Sequence, residues 1–128
     1  MTINNLLAIL VSSSIMVISC NDTTKQEAQT ENQLNDWKID SLGCNGIRSE
    51  ILSEKLIKEH NLKGDEISSF LKTFGKPNRE DTINQEIILG YCFNSICREG
   101  RLVDSSDYCI SEFHFINGRF EEGIYICL

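Results

Sequence analysis

The stretch CISEFHFINGRFEEGIYIC, residues 109–127, decides the fold of this chain. Apolar and polar side chains alternate along residues 109–116 and again along 119–127, which is the period of half-buried β-strands. Asn117-Gly118 stands between them and is the strongest short sequence signal for a two-residue hairpin turn. The predicted cross-strand pairs are Phe115 with Phe120, His114 with Glu121, and Cys109 with Ile126.

The same alternation assigns the hairpin side chains to two faces. The face predicted to meet the core comprises Phe113, Phe115, Phe120, Ile124 and Ile126. The opposite face comprises Ile110, Glu112, His114, Glu121 and Tyr125, and no remaining segment is predicted to cover it. An antiparallel sheet can leave one face in solvent, which is the alternative to a functional surface. An exposed amphipathic patch of Tyr125 and Ile110 would anchor protein contacts, so we predict a protein-binding site on this face.

Upstream of the hairpin, the sequence predicts one more strand and two helices. Residues 86–94 are rich in Ile, Leu and aromatic side chains and are followed by a long polar loop to residue 108. Residues 49–60 and 65–75 carry apolar side chains at helical spacing, and Gly75 with Pro77 ends the second helix. The predicted fold class is α+β, with two N-terminal helices packed on a three-stranded antiparallel β-meander.

The first twenty residues carry no charged side chain and end in Val17-Ile18-Ser19-Cys20. Their apolar run is too short to span a membrane and has the length of a signal-peptide core. The four-residue ending resembles the bacterial lipobox, which implies lipidation of Cys20 and removal of residues 1–19. The segment before the apolar run has no Lys or Arg, which departs from the usual signal, and a buried helix with an incidental Cys is the alternative.

Residues 20–36 are predicted to be the lipidated Cys and a disordered tether. Only Ala28 and Leu34 are apolar between residues 21 and 36, so this segment has little surface to bury. Two or more acyl chains, palmitate among them, suffice for stable membrane anchoring. Trp37, the only Trp, begins the globular domain, which is predicted to cover residues 37–128.

Charge limits the classes of partner. The chain has 128 residues and a net charge of −7, and its Lys and Arg residues are scattered rather than clustered. Nucleic-acid binding needs a concentrated basic surface. The sequence therefore predicts no nucleic-acid partner.

Several motifs together resemble a known family. They are Gly64-Asp65-Glu66-Ile67, then Phe70-Leu71-Lys72-Thr73-Phe74-Gly75-Lys76-Pro77-Asn78, a strand with Tyr91, and Phe113-His114-Phe115-Ile116-Asn117-Gly118-Arg119. Over residues 62–128 the chain is similar to the small SmpA/OmlA-type lipoproteins, whose αα-βββ unit is also the repeat of the β-lactamase inhibitory protein (BLIP). In place of the family's Met-Thr it has Asp65-Glu66, and its cysteines look more like those of small Bacteroides-group lipoproteins. The resemblance implies a role in the cell envelope.

Five cysteines remain after Cys20, which in an oxidising compartment leaves at least one unpaired within the chain. We predict disulfides between Cys97 and Cys109, across the long loop, and between Cys44 and Cys127, at the two ends of the domain. Cys92 is then the free thiol. The second bond requires a bulge near Glu122-Gly123 or a path around the edge of the sheet, because strict alternation turns Cys127 away from the core.

No cofactor and no metal are predicted, since the spacing of the cysteines is not that of zinc sites. No catalytic constellation was found, so the chain is expected not to be an enzyme. The expected function is a lipid-anchored scaffold or binding module of the cell envelope, at the periplasmic face of the outer membrane or the cell surface. The expected partners are the membrane, through the lipid, and an envelope protein. The alternative is an inhibitor or adhesion module that binds an extracellular protein, and a redox or metal-handling protein is a third class.

Overall fold

The computed structural model describes residues 22–103 and 108–127. Three helices come first: α1 (Asp22–Ile39), α2 (Glu50–Glu59) and α3 (Ile67–Phe74). Six strands follow: β1 (Arg79–Ile83), β2 (Glu86–Phe93), β3 (Cys97–Arg98), β4 (Arg101–Leu102), β5 (Cys109–Ile116) and β6 (Arg119–Cys127). The predicted α+β class is confirmed.

The main sheet has four antiparallel strands in the order β1-β2-β5-β6, and β3 and β4 form a separate two-stranded hairpin. The prediction of three strands was therefore one strand short in the main sheet. β1 was missed because its sequence is polar and only Asp81 is half-buried, so it lacks the alternation of a strand with one buried face. It reaches β2 through a turn at Asn84 and Gln85, which both adopt positive φ.

Helices α2 and α3 lie within two residues of their predicted bounds. The side chain of Ser49 caps α2 by accepting a hydrogen bond from the backbone N–H of Leu52 at 3.1 Å. Gly75 ends α3 with a φ of 77°, a conformation that costs glycine little.

Helix α1 corrects the prediction of a disordered tether, because the chain is helical from Asp22 onward. Eight of its 18 residues are Gln, Glu, Lys or Ala, which have high helix propensity. Its last turns are fixed by Trp37, which is fully buried, and by Leu34, which packs against the core. Low apolar content excluded a core within the segment but not a helix attached to one. The predicted signal peptide and Cys20 lie outside the described residues.

An aromatic cluster forms the core between the helices and the sheet. Phe70 stacks on Phe74 with ring centroids 4.4 Å apart and also contacts three rings from the sheet, those of Phe113, Phe115 and Phe120. Trp37 closes the cluster, with its ring 5.0 Å from that of Phe74. In the half of the hairpin near the turn, the side chains that face the helices are the predicted ones, Phe113, Phe115 and Phe120.

The β5–β6 hairpin contains an irregularity that changes its distal half. Asn117 and Gly118 form the predicted turn, both with positive φ, and the predicted pairing of Phe115 with Phe120 is confirmed. A register shift follows between His114 and Phe115, so that Glu121 is an extra residue on β6. Such a bulge inserts one residue and exchanges the two faces of everything beyond it.

Beyond the bulge, the predicted pairs and the predicted facing of β6 were wrong, whereas the facing of β5 was as predicted. His114 pairs with Glu122 rather than Glu121, and Cys109 pairs with Cys127 rather than Ile126. Tyr125 is turned toward the helices, where its ring contacts Phe113. Ile124 and Ile126, which were assigned to the core face, lie on the opposite face instead, where Ile124 is exposed.

The disulfide pairing also differs from the prediction, although two disulfides are present. Cys44 is bonded to Cys97, and Cys109 is bonded to Cys127. The bulge places Cys109 and Cys127 opposite each other, with Cα atoms 4.0 Å apart, which makes the pairing local. Cys92 is free and buried, as predicted.

Candidate protein-binding surface

The strand register arranges the side chains that point away from the helices into rows across the sheet. We call this surface the outer face. The three rows that cross all four strands are Arg79-Gly90-Glu112-Ile124, Asp81-Ile88-His114-Glu122 and Ile83-Glu86-Ile116-Arg119, and a shorter row on β2, β5 and β6 is Cys92-Ile110-Ile126. Glu112 and His114, two residues of the predicted binding site, lie in adjacent rows of the outer face.

Ion pairs connect side chains of neighbouring rows and strands on the outer face. Arg79 pairs with Glu112 two strands away and with Asp81 on its own strand, at 2.7 Å. Gly90 lies between Arg79 and Glu112, and a Cβ there would be 3.3 Å from the Cβ of Arg79. Such a Cβ would also be 2.9 Å from Cδ1 of Ile110, so the absence of a side chain at Gly90 lets Arg79 and Ile110 pack closely against β2.

His114 lies between two carboxylates. Its Nδ1 is 2.5 Å from Oε1 of Glu86, and its Nε2 is 3.9 Å from Oε2 of Glu112. The side chains of His114 and Glu112 are 12% and 15% exposed. Burial limits their rotamers, so the outer face presents these groups in a fixed arrangement.

Aliphatic side chains surround the ion pairs. Ile83 and Ile116 are 55% and 50% exposed, and they flank Glu86 in one row. Ile124 is 39% exposed beside Glu112. An apolar rim around fixed charges is suited to a protein partner, because isoleucine gains from burial while the charges select the partner.

The five residues predicted as a binding site do not form one surface. Glu112 and His114 lie on the outer face as predicted. Ile110 shares the face but is only 4% exposed, and it lines a cavity together with Leu102 and Tyr108. The bulge removes the other two: Glu121 is the extra residue beside Lys63, at 3.9 Å, and Tyr125 faces the helices.

Arg79 and Glu86 belong to the outer face but were missed by sequence reasoning. Arg79 lies on the strand that was not predicted, so no face could be assigned to it. Glu86 begins a predicted strand and is two residues from Ile88. Because alternate residues of a strand point to the same side, this spacing could have placed Glu86 and Ile88 on one face.

A second polar centre lies on the helix side of the sheet and is structural. Arg48 is 2% exposed, and its Nε donates to the carbonyl oxygen of Trp37 at 2.9 Å. Its Nη1 donates to the carbonyl oxygen of Ser41 at 2.8 Å and to Oδ1 of Asn78 at 3.1 Å. Burial lowers the pKa of Arg48, an effect that nearby Asp40 opposes.

Asp40 is also buried and organises the loop before α2. Its carboxylate accepts three backbone hydrogen bonds, from Asn45, Ile47 and Arg48, at 2.9 to 3.0 Å. Together Asp40 and Arg48 connect the end of α1 to the sheet. Neither was singled out from the sequence, where a lone charged residue in a loop carries no signal of burial.

The environment of the free cysteine, Cys92, makes its thiol a poor nucleophile. Burial raises the pKa of the Cys92 thiol, and the guanidinium groups of Arg48 and Arg79 oppose this only in part. A thiol reacts as its thiolate, so a raised pKa lowers its nucleophilicity. Cys92 lines the cavity of about 450 Å³ that also contains Ile110.

Within residues 22–103 and 108–127, no group of three or more His, Cys, Asp or Glu side chains is placed to bind a metal ion. No helix in that part of the chain is long and apolar enough to cross a membrane. No protein-family model, curated protein or solved structure matches the chain. The similarity to the SmpA/OmlA-type lipoproteins therefore stays a prediction.

Proposed function

We propose that the chain is a lipid-anchored protein of the cell envelope whose globular domain binds another protein and catalyses no reaction. The observation that carries this proposal is the outer face, where exposed isoleucines surround fixed ion pairs. Exposed apolar area of this kind gains free energy when a partner covers it. A hot spot at Ile116, beside Glu86, would have both apolar and polar contacts within reach.

Two features support the envelope location. The Val17-Ile18-Ser19-Cys20 motif has the lipobox pattern, and the domain contains two disulfides. Disulfides persist in oxidising compartments and are rare in the cytosol. Helix α1 begins at Asp22, so only Asn21 separates the proposed lipid site from a helix that leads into the core.

The anchor is tested by mass spectrometry of the mature protein. We expect a chain that begins at an acylated Cys20, and a Cys20→Ala variant that is neither acylated nor processed. A wild-type chain that starts at another residue or carries no lipid would contradict the anchor.

The binding surface is tested by mild crosslinking and copurification of the tagged protein from its own cells. We expect Ile116→Glu to reduce the copurified partner by about tenfold or more, which corresponds to ~1.4 kcal/mol. Ile51→Glu is the matched control, because Ile51 is 83% exposed on α2, on the helix side of the sheet. A partner that is lost in the Ile51 variant and kept in the Ile116 variant would place the binding surface elsewhere.

The second candidate function is an inhibitor or adhesion module that uses the outer face against an extracellular protein. Protease treatment of intact cells separates the two functions. Cleavage of the domain on intact cells favours the extracellular partner, whereas protection until the envelope is opened favours a partner inside the envelope.

A further inference from the structure

The edge of the main sheet formed by β6 is only partly covered. Near the turn, the segment before α3 pairs with it: Gly64 donates to the carbonyl oxygen of Phe120 at 2.8 Å, and Phe120 donates to that of Asp65 at 2.9 Å. From Gly123 to Cys127, no further backbone partner occurs among the described residues. The outward backbone groups of this segment, which we call the open edge, remain available.

The open edge lacks the usual protection of edge strands. Its sequence, Gly-Ile-Tyr-Ile-Cys, contains no charged residue and no proline. The other edge of the sheet, β1, contains Arg79, Glu80 and Asp81. Charged side chains on an edge strand prevent pairing with other chains, and their absence favours it. The two edges of the sheet therefore differ in their capacity to accept another strand.

The open edge is held rigidly before any partner arrives. The bond between Cys109 and Cys127 fixes its end to β5. Tyr125 fixes its middle, because its hydroxyl lies 2.9 Å from Oγ of Ser53 and donates to Oε1 of Glu54 at 2.5 Å. A strand that is already ordered costs less free energy to pair than one that must be ordered on binding.

Carboxylates surround the open edge. Glu121 and Glu122 precede it on β6, and Glu54 of α2 lies above its middle. A cleft of about 270 Å³ between α2 and β6 is lined by these three glutamates and by one cation, Lys63. The cleft has an excess of negative charge and is large enough to receive the end of a long side chain.

We propose that the open edge binds an extended, positively charged segment of the partner protein as a fifth strand of the sheet. The segment's backbone would pair with residues 123–127, and a Lys or Arg side chain would enter the cleft beside Glu54 and Glu121. This mode of recognition takes affinity from main-chain hydrogen bonds and specificity from the side-chain site. It rests on the proposed function in that the partner is a protein.

A second copy of the chain is a poorer occupant than a cationic segment. Each copy has a net charge of −7, and pairing two open edges would bring Glu54 of each copy close to the other. Like charges brought together at a partly desolvated edge oppose association. Charge complementarity therefore selects a basic partner.

The test uses the full chain with its disulfides intact, in detergent micelles, and a short synthetic peptide that alternates Lys and Val. We expect this peptide to protect the backbone amides of the open edge from hydrogen exchange, and a matched peptide that alternates Glu and Val to protect none of them. Glu54→Gln and Glu121→Gln together should weaken binding of the Lys peptide by about tenfold, and Glu80→Gln on β1 should leave it unchanged.

Three results would overturn the proposal. They are the absence of protection at the open edge, equal binding of the two peptides, and concentration-dependent protection without peptide, which would identify a second copy as the occupant. The Ile116→Glu variant should bind the Lys peptide normally. If no partner copurifies from cells while the peptide binds at the open edge, the proposed function fails and the fifth-strand site stands. If a partner copurifies and leaves the open edge unprotected, the fifth-strand proposal fails alone.

Discussion

Replacement of Arg48 should be among the most damaging single changes in this domain. The guanidinium group is buried and donates to the carbonyl oxygens of Trp37 and Ser41 and to Asn78. It also lies 5.0 Å from the ring of Trp37. Removing one partner of a buried charged network costs about 3 to 5 kcal/mol. A domain of this size is stabilised by about 5 to 15 kcal/mol in total, so Arg48→Ala should lose a large fraction of its stability.

Two further variants separate charge from geometry. Arg48→Lys keeps the charge but lacks the planar set of donors, and we expect an intermediate loss of about 1 to 3 kcal/mol. Arg48→Met keeps much of the volume but leaves the carbonyl oxygen of Trp37 without its donor, at about 1 to 3 kcal/mol. The carbonyl oxygen of Ser41 loses one of two donors and keeps Nδ2 of Asn78, at 2.8 Å. The polar partners are mostly main-chain atoms, so an apolar substitution cannot remove them together with the charge.

The assay is urea unfolding of the oxidised protein followed by tryptophan fluorescence. Trp37 is the only Trp in the chain and is fully buried next to Arg48, so its emission reports on this region. Arg79→Ala is the control: its side chain is 46% exposed, and the loss should stay below about 1 kcal/mol. A Met variant as stable as the wild type would refute the argument, because the carbonyl groups would then not depend on the guanidinium group.

Three other predictions concern the loop, the backbone and the tyrosines. Cys97→Ser, which opens the 53-residue loop closed by Cys44, should cost about 4 kcal/mol in the chain-entropy model; urea unfolding measures this, and a loss below about 1 kcal/mol would contradict it. Gly43→Ala should destabilise the domain far more than Gly46→Ala in thermal unfolding. Both glycines have positive φ, but only at Gly43 would a Cβ meet backbone, at 2.5 Å from a Cα of β2; equal losses would count against this close approach. Burial raises the pKa of Tyr91 above its ordinary value of 10.0, so its contribution to stability is complete below pH 10 and is lost as the pH rises further. Tyr91→Phe should therefore reduce the alkaline loss of stability, and an unchanged pH profile would exclude this cause.

The structure also changes what is expected of Tyr125. If Tyr125 were exposed on the outer face, as predicted, Tyr125→Ala would leave the stability of the domain nearly unchanged. Because the ring packs against Phe93 and Phe113 and the hydroxyl bonds to Ser53 and Glu54, truncation removes both core area and hydrogen bonds. A loss of partner binding in that variant would therefore not locate a binding surface, whereas His114→Ala remains informative.

Local patterns in the sequence were sufficient for the elements that depend on neighbouring residues. The helical spacing before Gly75, the Asn117-Gly118 turn and the pairing of Phe115 with Phe120 follow from contacts within a few residues of each other. These features predicted the α+β class and the near-turn half of the core. They also placed Glu112 and His114 on one face, since residues two apart on a strand point the same way.

Only the tertiary structure decided the features that depend on distant parts of the chain. A single extra residue, Glu121, reversed the facing of Tyr125 and paired Cys109 with Cys127, because a bulge exchanges the faces of every residue beyond it. A bulge near Glu122-Gly123 was expected only as a requirement of a Cys44–Cys127 bond, and the bulge at Glu121 accompanies the bond between Cys109 and Cys127 instead. The prediction of a disordered segment before Trp37 was also wrong because it ignored contacts with distant parts of the chain. A segment with few apolar residues cannot form a core of its own, but α1 is stabilised by a core that the rest of the chain supplies.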